Sequence, residues 1–309
     1  MHGAHLVLGI GELLWDELPE GARLGGAPAN FAVMAGRLGN RASILSRIGR
    51  DELGSQAIGF LEALPVETDY LEVDPGHETG RVSVHFENGE PNYIIHQPAA
   101  WDFLELTGEW IKLAGRADAI CFGSLAQREL ASRQTIQNLA ARTSSACIRI
   151  FDVNLRPPFY SAEILQESLG LATVVKMNDA EAPLVLNLLG LATEQETATP
   201  RLAAERLLAE FPSLQLAAIT RGSRGSLLVA HDEWNDHPGF PVQVGDAVGA
   251  GDAFTAALAH YLLRGAGLAT LNEASNRWGG WMASQSGAMP ALPDAVREAI
   301  AAAIEKAAG

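Results

Sequence analysis

The sequence predicts an α/β fold, a central and mostly parallel sheet with helices on both faces. Three observations carry that expectation. Short apolar runs rich in Val, Ile and Leu recur through much of the chain, amphipathic stretches of helical length separate most of them, and the last third turns helical.

Residues 5–10 are the first apolar run, and 42–46, 119–122, 147–153, 173–177 and 216–220 repeat it at strand length. Between them, 27–38, 130–142, 180–189 and 200–211 carry apolar residues at helical spacing. Strand, crossover helix and strand in alternation pair strands in parallel, because a tight hairpin would return the chain antiparallel. One region breaks the rhythm. Residues 80–86 and 93–96 alternate polar and apolar side chains about Asn88-Gly89, a dipeptide that favours a hairpin turn. This hairpin, roughly 80–97, either projects as a lid that excludes water or extends the main sheet at its edge. Residues 252–264, 271–285 and 294–306 then show helical spacing again. No repeat or Pro/Ser-rich linker divides the chain, so residues 1–309 are expected to fold as one domain.

With 309 residues, 48% of them hydrophobic, the chain can bury a sizeable core, which excludes a disordered or fibrous protein. Lys and Arg total 22 against 37 Asp and Glu, a formal charge of −15 that repels nucleic acid and anionic membranes. The two cysteines, Cys121 and Cys147, sit in apolar runs, as expected in a reducing compartment, and provide no disulfide framework or zinc spacing. No charged leader precedes an apolar stretch, and no apolar run approaches the roughly 20 residues that span a bilayer. A soluble, cytoplasmic protein is expected.

The strongest chemical signal is residues 246–258, where Gly249-Ala250-Gly251-Asp252 runs directly into an apolar helix. Glycines let successive amides turn toward one point, and the helix N-terminus adds partial positive charge, which together make an anion site. Asp252 at its mouth would repel a resting phosphate. It serves either as the base that takes a proton from an attacking hydroxyl or as a plain helix cap.

Further polar residues lie at the ends of other strands. Gly25-Gly26 precede a helix whose first turn holds Pro28 and Asn30, and Asn30 offers a donor and an acceptor to a neutral polyol. Asp16 follows the first strand, where α/β sheets bind ligands, and is either a sugar contact or a solvated loop acid. The Gly9-Ile10-Gly11 start of a dinucleotide fingerprint lacks its third glycine, and no P-loop is present. Arg156 and Lys176 supply positive charge for phosphates, while Asn178 and Glu181 suit a hydrated magnesium ion or simply start a helix. The turn 220–225, with Gly222 and Gly225, admits a nucleotide closely or is a plain hairpin. Residues 231–237 contain two histidines but read as a solvated hairpin tip rather than a metal site.

Taken together these segments resemble the ribokinase-like, or PfkB-type, carbohydrate kinases over essentially the whole chain. Gly25-Gly26 and Asn30, with Gly39 and Gly49 downstream, look like that family's N-terminal signature, and 246–258 looks like its C-terminal one. The resemblance implies a three-layer sandwich, a central sheet of about eight or nine strands and a small β lid built partly from 80–97. It implies ATP and Mg²⁺ as co-substrates and phosphorylation of a hydroxymethyl group. By that resemblance Asp252 is the catalytic base and Gly249, Ala250 and Gly251 form the anion hole. Asp16, Gly26 and Asn30 match the family's sugar contacts, and Gly25 and Arg156 are placed with them on the substrate side. Asn178 and Glu181 match its Asn-x-x-Glu element associated with magnesium and phosphate, and Lys176 is placed with them on the nucleotide side. Thr220, Gly222 and Gly225 match a nucleotide turn, Asn276 matches a position near the adenine, and Asp246 matches a ligand for a monovalent cation such as K⁺. Ala247 departs from the usual Thr or Ser and puts that cation in question. Residues 11–16, 98–102 and 152–157 look most like fructokinases, which makes fructose the leading acceptor. 2-Keto-3-deoxygluconate, ribose or a nucleoside are the alternatives within the family, and a catalytically silent sugar-binding regulator is the alternative outside it. An acidic sugar would call for an extra cation, for which Arg81 is the candidate. Homodimers formed through the lid are a further expectation of the resemblance.

Overall fold

Leu6–Ile10 (β1) is buried along its whole length and lies well inside a nine-stranded sheet, the place for a run with no polar face to turn outward. The computed structural model describes residues 4–18, 21–87, 90–192 and 199–308. Flanking β1 are Arg41–Gly49 (β4) with Leu71–Asp74 (β5) on one side, and Ala119–Gly123 (β8), Ile148–Asp152 (β9), Val174–Asn178 (β10) and Leu216–Thr220 (β11) on the other. All these neighbours pair in parallel. Ser226–Ala230 (β12) and Trp234–His237 (β13) complete the sheet antiparallel. The segment 231–237 is therefore split, with a tip at 231–233 and an edge strand after it.

Alternate residues of each central strand enter different cores. Leu8, Phe122, Phe151 and Ile219 face a layer made of Gly108–Ala114 (α3), Leu130–Ala141 (α4), Ala162–Leu171 (α5), Glu181–Leu188 (α6) and Pro200–Glu210 (α7). Val7, Cys121, Ile150 and Ala218 face Ala27–Arg37 (α1), Ala250–Leu262 (α8), Leu268–Ala283 (α9) and Asp294–Ala308 (α10). Each Leu, Ile or Phe buried in this way contributes about 1.5–3 kcal/mol. Side-chain caps from Thr107, Ser161 and Thr199 start α3, α5 and α7, each worth about 1 kcal/mol.

A second sheet stands apart. Leu14–Leu18 (β2), Gly21–Gly25 (β3), Gly80–Glu87 (β6) and Glu90–Ile95 (β7) pair in the order β3-β2-β6-β7. The 80–97 hairpin thus belongs to a lid sheet and not to the edge of the main one; its Asn88-Gly89 turn lies outside the described residues. The sequence pattern did not mark β2 and β3, because they mix charged residues and glycines with a few apolar ones. Asp16 is accordingly inside β2 and not on a loop after β1. Leu13, Trp15 and Leu24 root the lid in a third apolar cluster with Ile48, Leu61 and Met289. There Trp15 Nε1 donates to the Leu53 carbonyl of Glu52–Leu61 (α2) at 3.0 Å. Among the described residues, no helix is long and apolar enough to cross a membrane.

Candidate active site

The parallel strands all end at one edge of the sheet, so Glu12 after β1, Asp152 on β9 and Asn178 on β10 converge there. Helix α8 points its N-terminus into the same region. It begins at Ala250, two residues earlier than its apolar pattern indicated, so the cap position falls to Gly249 and not to Asp252. Gly249 is left-handed at φ 78°, and a Cβ there would meet Ala288 at 2.9 Å. Glycine is required on both counts. A Cβ at Gly251 would lie 2.9 Å from Lys176 Nζ, so the loop also rests directly on that ammonium.

Asp252 sits half-buried in the first turn of α8, and its Oδ2 accepts from Asn30 Nδ2 at 2.7 Å. Burial and the nearby Asp152 charge raise its pKa to about 6, against the opposing pull of Lys176, the Asn30 bond and Arg156. A capping acid gains hydrogen bonds from helix amides and is acidified by them. Asp252 shows the reverse, which suits a proton acceptor poised near neutral pH.

A buried pair lies under the loop. Lys176 Nζ donates to Asp152 Oδ1 at 3.0 Å, and Thr255 Oγ1 lies 3.0 Å from Asp152 Oδ2 and 2.9 Å from the Gly251 carbonyl. Burial alone would depress the lysine pKa, but Asp152, Asp252 and Glu181 together raise it, so the ammonium stays charged. Only 8% of Lys176 is exposed. Its charge therefore reaches the cleft through the loop backbone and not by open contact.

On the opposite wall, Gly26 caps α1; its φ of 109° and the 2.3 Å at which a Cβ there would meet the Glu12 carbonyl oxygen leave no room for a side chain. A Cβ at neighbouring Gly25 would lie 2.7 Å from Asp16 Oδ2. Burial raises the Asp16 pKa to about 6, opposed by Arg156 and assisted by Asp246. Arg156 is exposed; one guanidinium nitrogen donates to the Leu155 carbonyl, and its charge is felt by Glu12, Asp16 and Asp252. Arg81, the candidate cation for an acidic sugar, is paired with Glu78 at 3.0 Å and Glu17 at 3.6 Å.

The remaining residues flank the loop. Asn178 Oδ1 accepts from the Ala180 and Glu181 amides just ahead of α6, whose cap position is Ala180. Glu181 accepts from the Leu155 amide on one oxygen and from the Asn178 amide on the other, both at 2.8 Å. Thr220 ends β11, and the turn to β12 is a hairpin in which Gly225, at φ 76°, passes within 2.0 Å, as a Cβ would measure it, of the His237 carbonyl. Gly222, also left-handed at φ 59°, faces open space. Asn276 is buried, its amide donating to Ser226 Oγ at 2.7 Å and to Asn272. Val242, Gln243, Val244, Gly245 and Ser284 line a cavity of about 400 Å³ beside the loop. Asp246 receives Arg23 from the lid at 3.1 Å, the Gly287 amide at 3.2 Å and the Val248 amide at 3.0 Å. Among the described residues no cluster of three or more His, Cys, Asp or Glu could hold a metal.

Sequence reasoning passed over Glu12, Arg23, Asp152 and Thr255. Glu12 had a signal, since it follows the first strand directly. Arg23 had none, because its partner lies 223 residues away.

The pfkB family carbohydrate kinase model matches residues 21–295. An uncharacterized sugar kinase from Pyrococcus horikoshii is 31% identical over 280 residues, covering 85% of this chain and 84% of that one. Its crystal structure with ATP superposes with a TM-score of 0.81 over 98% of this chain and all of the other. A fructokinase of Escherichia coli is 30% identical over 92% of this chain and 95% of its own. The Vibrio cholerae fructokinase with fructose, ADP and calcium bound is 26% identical, with a TM-score of 0.78 over 96% of this chain and 98% of that one. A double mutant of that enzyme holds fructose, ADP and potassium. Since the family match spans most of the chain and both glycine loops sit at the edge of the sheet where Asp252 gathers its neighbours, the protein belongs to the pfkB family of carbohydrate kinases and is a sugar kinase.

Proposed function

We propose that this sugar kinase transfers the γ-phosphoryl group of ATP to a primary hydroxyl of a ketose, fructose at O6 foremost, with Asp252 as the base. The observation that carries the reading is Asp252 itself, desolvated at the mouth of a glycine loop and held by Asn30 at 2.7 Å. In this mechanism Asp16 and Asn30 orient the sugar, and Gly25 and Gly26 let it approach the backbone. Asp252 takes the hydroxyl proton as the oxygen attacks the γ-phosphorus and ADP departs. The amides of Gly249, Ala250 and Gly251, backed by Lys176, stabilise the charge in transfer. Thr220, Gly222 and Gly225 border the nucleotide, with Asn276 beneath it. A magnesium ion, which neutralises phosphate charge, would be held chiefly by the phosphates and water, with Glu181 outside its water shell, because both Glu181 oxygens already take backbone donors. The lid excludes water that would hydrolyse ATP, and it is also where two copies would pair.

Fructose is favoured by the fructokinase names among the relatives and by the bound fructose of the Vibrio cholerae enzyme. One observation favours a second acceptor class. Arg156 is an exposed cation facing Asp16, and a sugar acid such as 2-keto-3-deoxygluconate would neutralise it. ADP release with MgATP against fructose, 2-keto-3-deoxygluconate, ribose, glucose and adenosine tests both. Fructose should give the highest kcat/KM. A clear preference for the sugar acid moves the assignment to Arg156, and no sugar-stimulated release at all would leave only a binding role.

A further inference from the structure

Among the described residues, two side-chain oxygens of carboxyl or amide type are buried with no donor: Glu12 Oε2 and Asn30 Oδ1. They belong to neighbouring segments, Glu12 between β1 and β2 and Asn30 in α1. The Glu12 carbonyl packs against Gly26, the cap of that helix, and Asn30 is on its first turn. Glu12 is 3% exposed, and among the described residues no cation lies within salt-bridge distance of its carboxyl; the nearby backbone amides of Glu12 and Ala27 oppose only part of the rise that burial imposes on its pKa. A carboxylate oxygen sealed from water and left without a donor is strongly disfavoured, and a proton removes that charge. It also turns the orphan acceptor into a donor, and the orphan acceptor Asn30 Oδ1 is the group that lacks one.

We propose that Glu12 is a positioning residue whose carboxyl carries a proton in the working enzyme and donates it to Asn30 Oδ1. Asn30 is then locked with its amide nitrogen on Asp252, and the sugar site holds one ionised acid at that point in place of two. The groups that face Glu12 agree with this assignment. Asp252 on α8 disfavours a second negative charge, Arg156 after β9 favours it only partly, and the Cys121 thiol on β8 stays neutral because burial raises its pKa well above the ordinary value. Burial comes first among the effects that lift Glu12 to about 7. The proposal rests on Asp252 as the base and adds to it a second acid that never touches substrate.

The test combines a pH profile with a titration that needs no turnover. Wild-type kcat/KM should rise with pH as Asp252 ionises and fall again at higher pH as Glu12 ionises, the two limbs belonging to the coupled pair. Glu12→Gln, which keeps a donor and cannot ionise, should retain kcat near pH 7 within about threefold, keep the acid limb and lose the alkaline one. Glu12→Ala should lose kcat at least about tenfold at every pH. In protein carrying glutamate labelled with ¹³C at Cδ, the resonance that vanishes in Glu12→Gln should titrate above pH 6 in the wild type. A Glu12 resonance that titrates in the ordinary glutamate range overturns the proposal, as does a Glu12→Gln enzyme that keeps the alkaline limb or is as impaired as Glu12→Ala. If Glu12→Gln does not fold, Glu12→Asp supplies the assignment and the titration decides. Asp252→Asn, measured beside these, separates a failure of this proposal from a failure of the base assignment.

Discussion

Arg23, on a strand of the lid, donates to Asp246 of the anion loop at 3.1 Å across 223 residues of chain. It is a hydrogen bond that ties the lid sheet to the glycine loop ahead of α8. Asp246 is also the residue the family resemblance marks for a monovalent cation, and the guanidinium stands beside it as a fixed positive charge.

Replacing that charge should therefore change what the enzyme needs from solution. The pair is partly exposed and is worth at most about 1 kcal/mol of stability. Arg23→Met should leave Tm almost unchanged, raise KM for the sugar several-fold and make turnover respond to KCl. The wild type should show little response to K⁺. Strong potassium activation of the wild type, measured as ADP release with and without KCl at constant ionic strength, would sink this reading.

Asp252→Asn should separate function from stability. With Asp252 as the proposed base, the substitution should cost about 10²–10⁴ in kcat. Because burial raises the folded pKa from 3.8 to about 6, the unfolded chain ionises first. Stability is fully present below the unfolded value and falls as pH rises toward 6. The asparagine variant escapes that loss and should be more stable at pH 8 by about 1–3 kcal/mol, with little difference near pH 3. A helix-capping acid predicts the opposite, so chemical denaturation at the two pH values tells them apart.

Glu181 joins the ends of β9 and β10 by accepting one backbone N–H on each oxygen. Glu181→Gln places an amide nitrogen opposite one of those donors and leaves it unsatisfied, at a cost of about 1–3 kcal/mol. Urea unfolding of the ligand-free protein should show that loss. If stability is unchanged while KM for MgATP rises, the residue acts on the metal and not on the scaffold.

Lys176→Met removes the cation under Gly251 and strands the buried Asp152. The variant should lose about 3–5 kcal/mol, and the double variant with Asp152→Asn should recover part of it. Since Lys176 also holds the Asp252 pKa down, the acid limb of the single variant's kcat/KM profile should move to higher pH. An unmoved limb would show that the lysine is purely structural.

Much of this protein is legible in its sequence because the relevant signals are local. Continuous apolar runs such as 119–122 announce strands buried on both faces, and 27–38 announces a helix by its spacing. The glycines at 249 and 251 mark a loop whose amides must converge, which is a statement about a few consecutive dihedrals. Tertiary structure alone decided the rest, because it depends on distance and burial, which adjacent residues do not encode. Strands 14–18 and 21–25 are too polar to announce themselves and exist because the 80–95 hairpin pairs with the first of them, which in turn pairs with the second. Arg81 could be singled out by its charge but not by the two glutamates that neutralise it. Asp252 read from its neighbours in sequence was either a cap or a base. The fold started the helix two residues earlier, brought Asn30 to its oxygen and withdrew water from around it, and proton affinity is set by those surroundings.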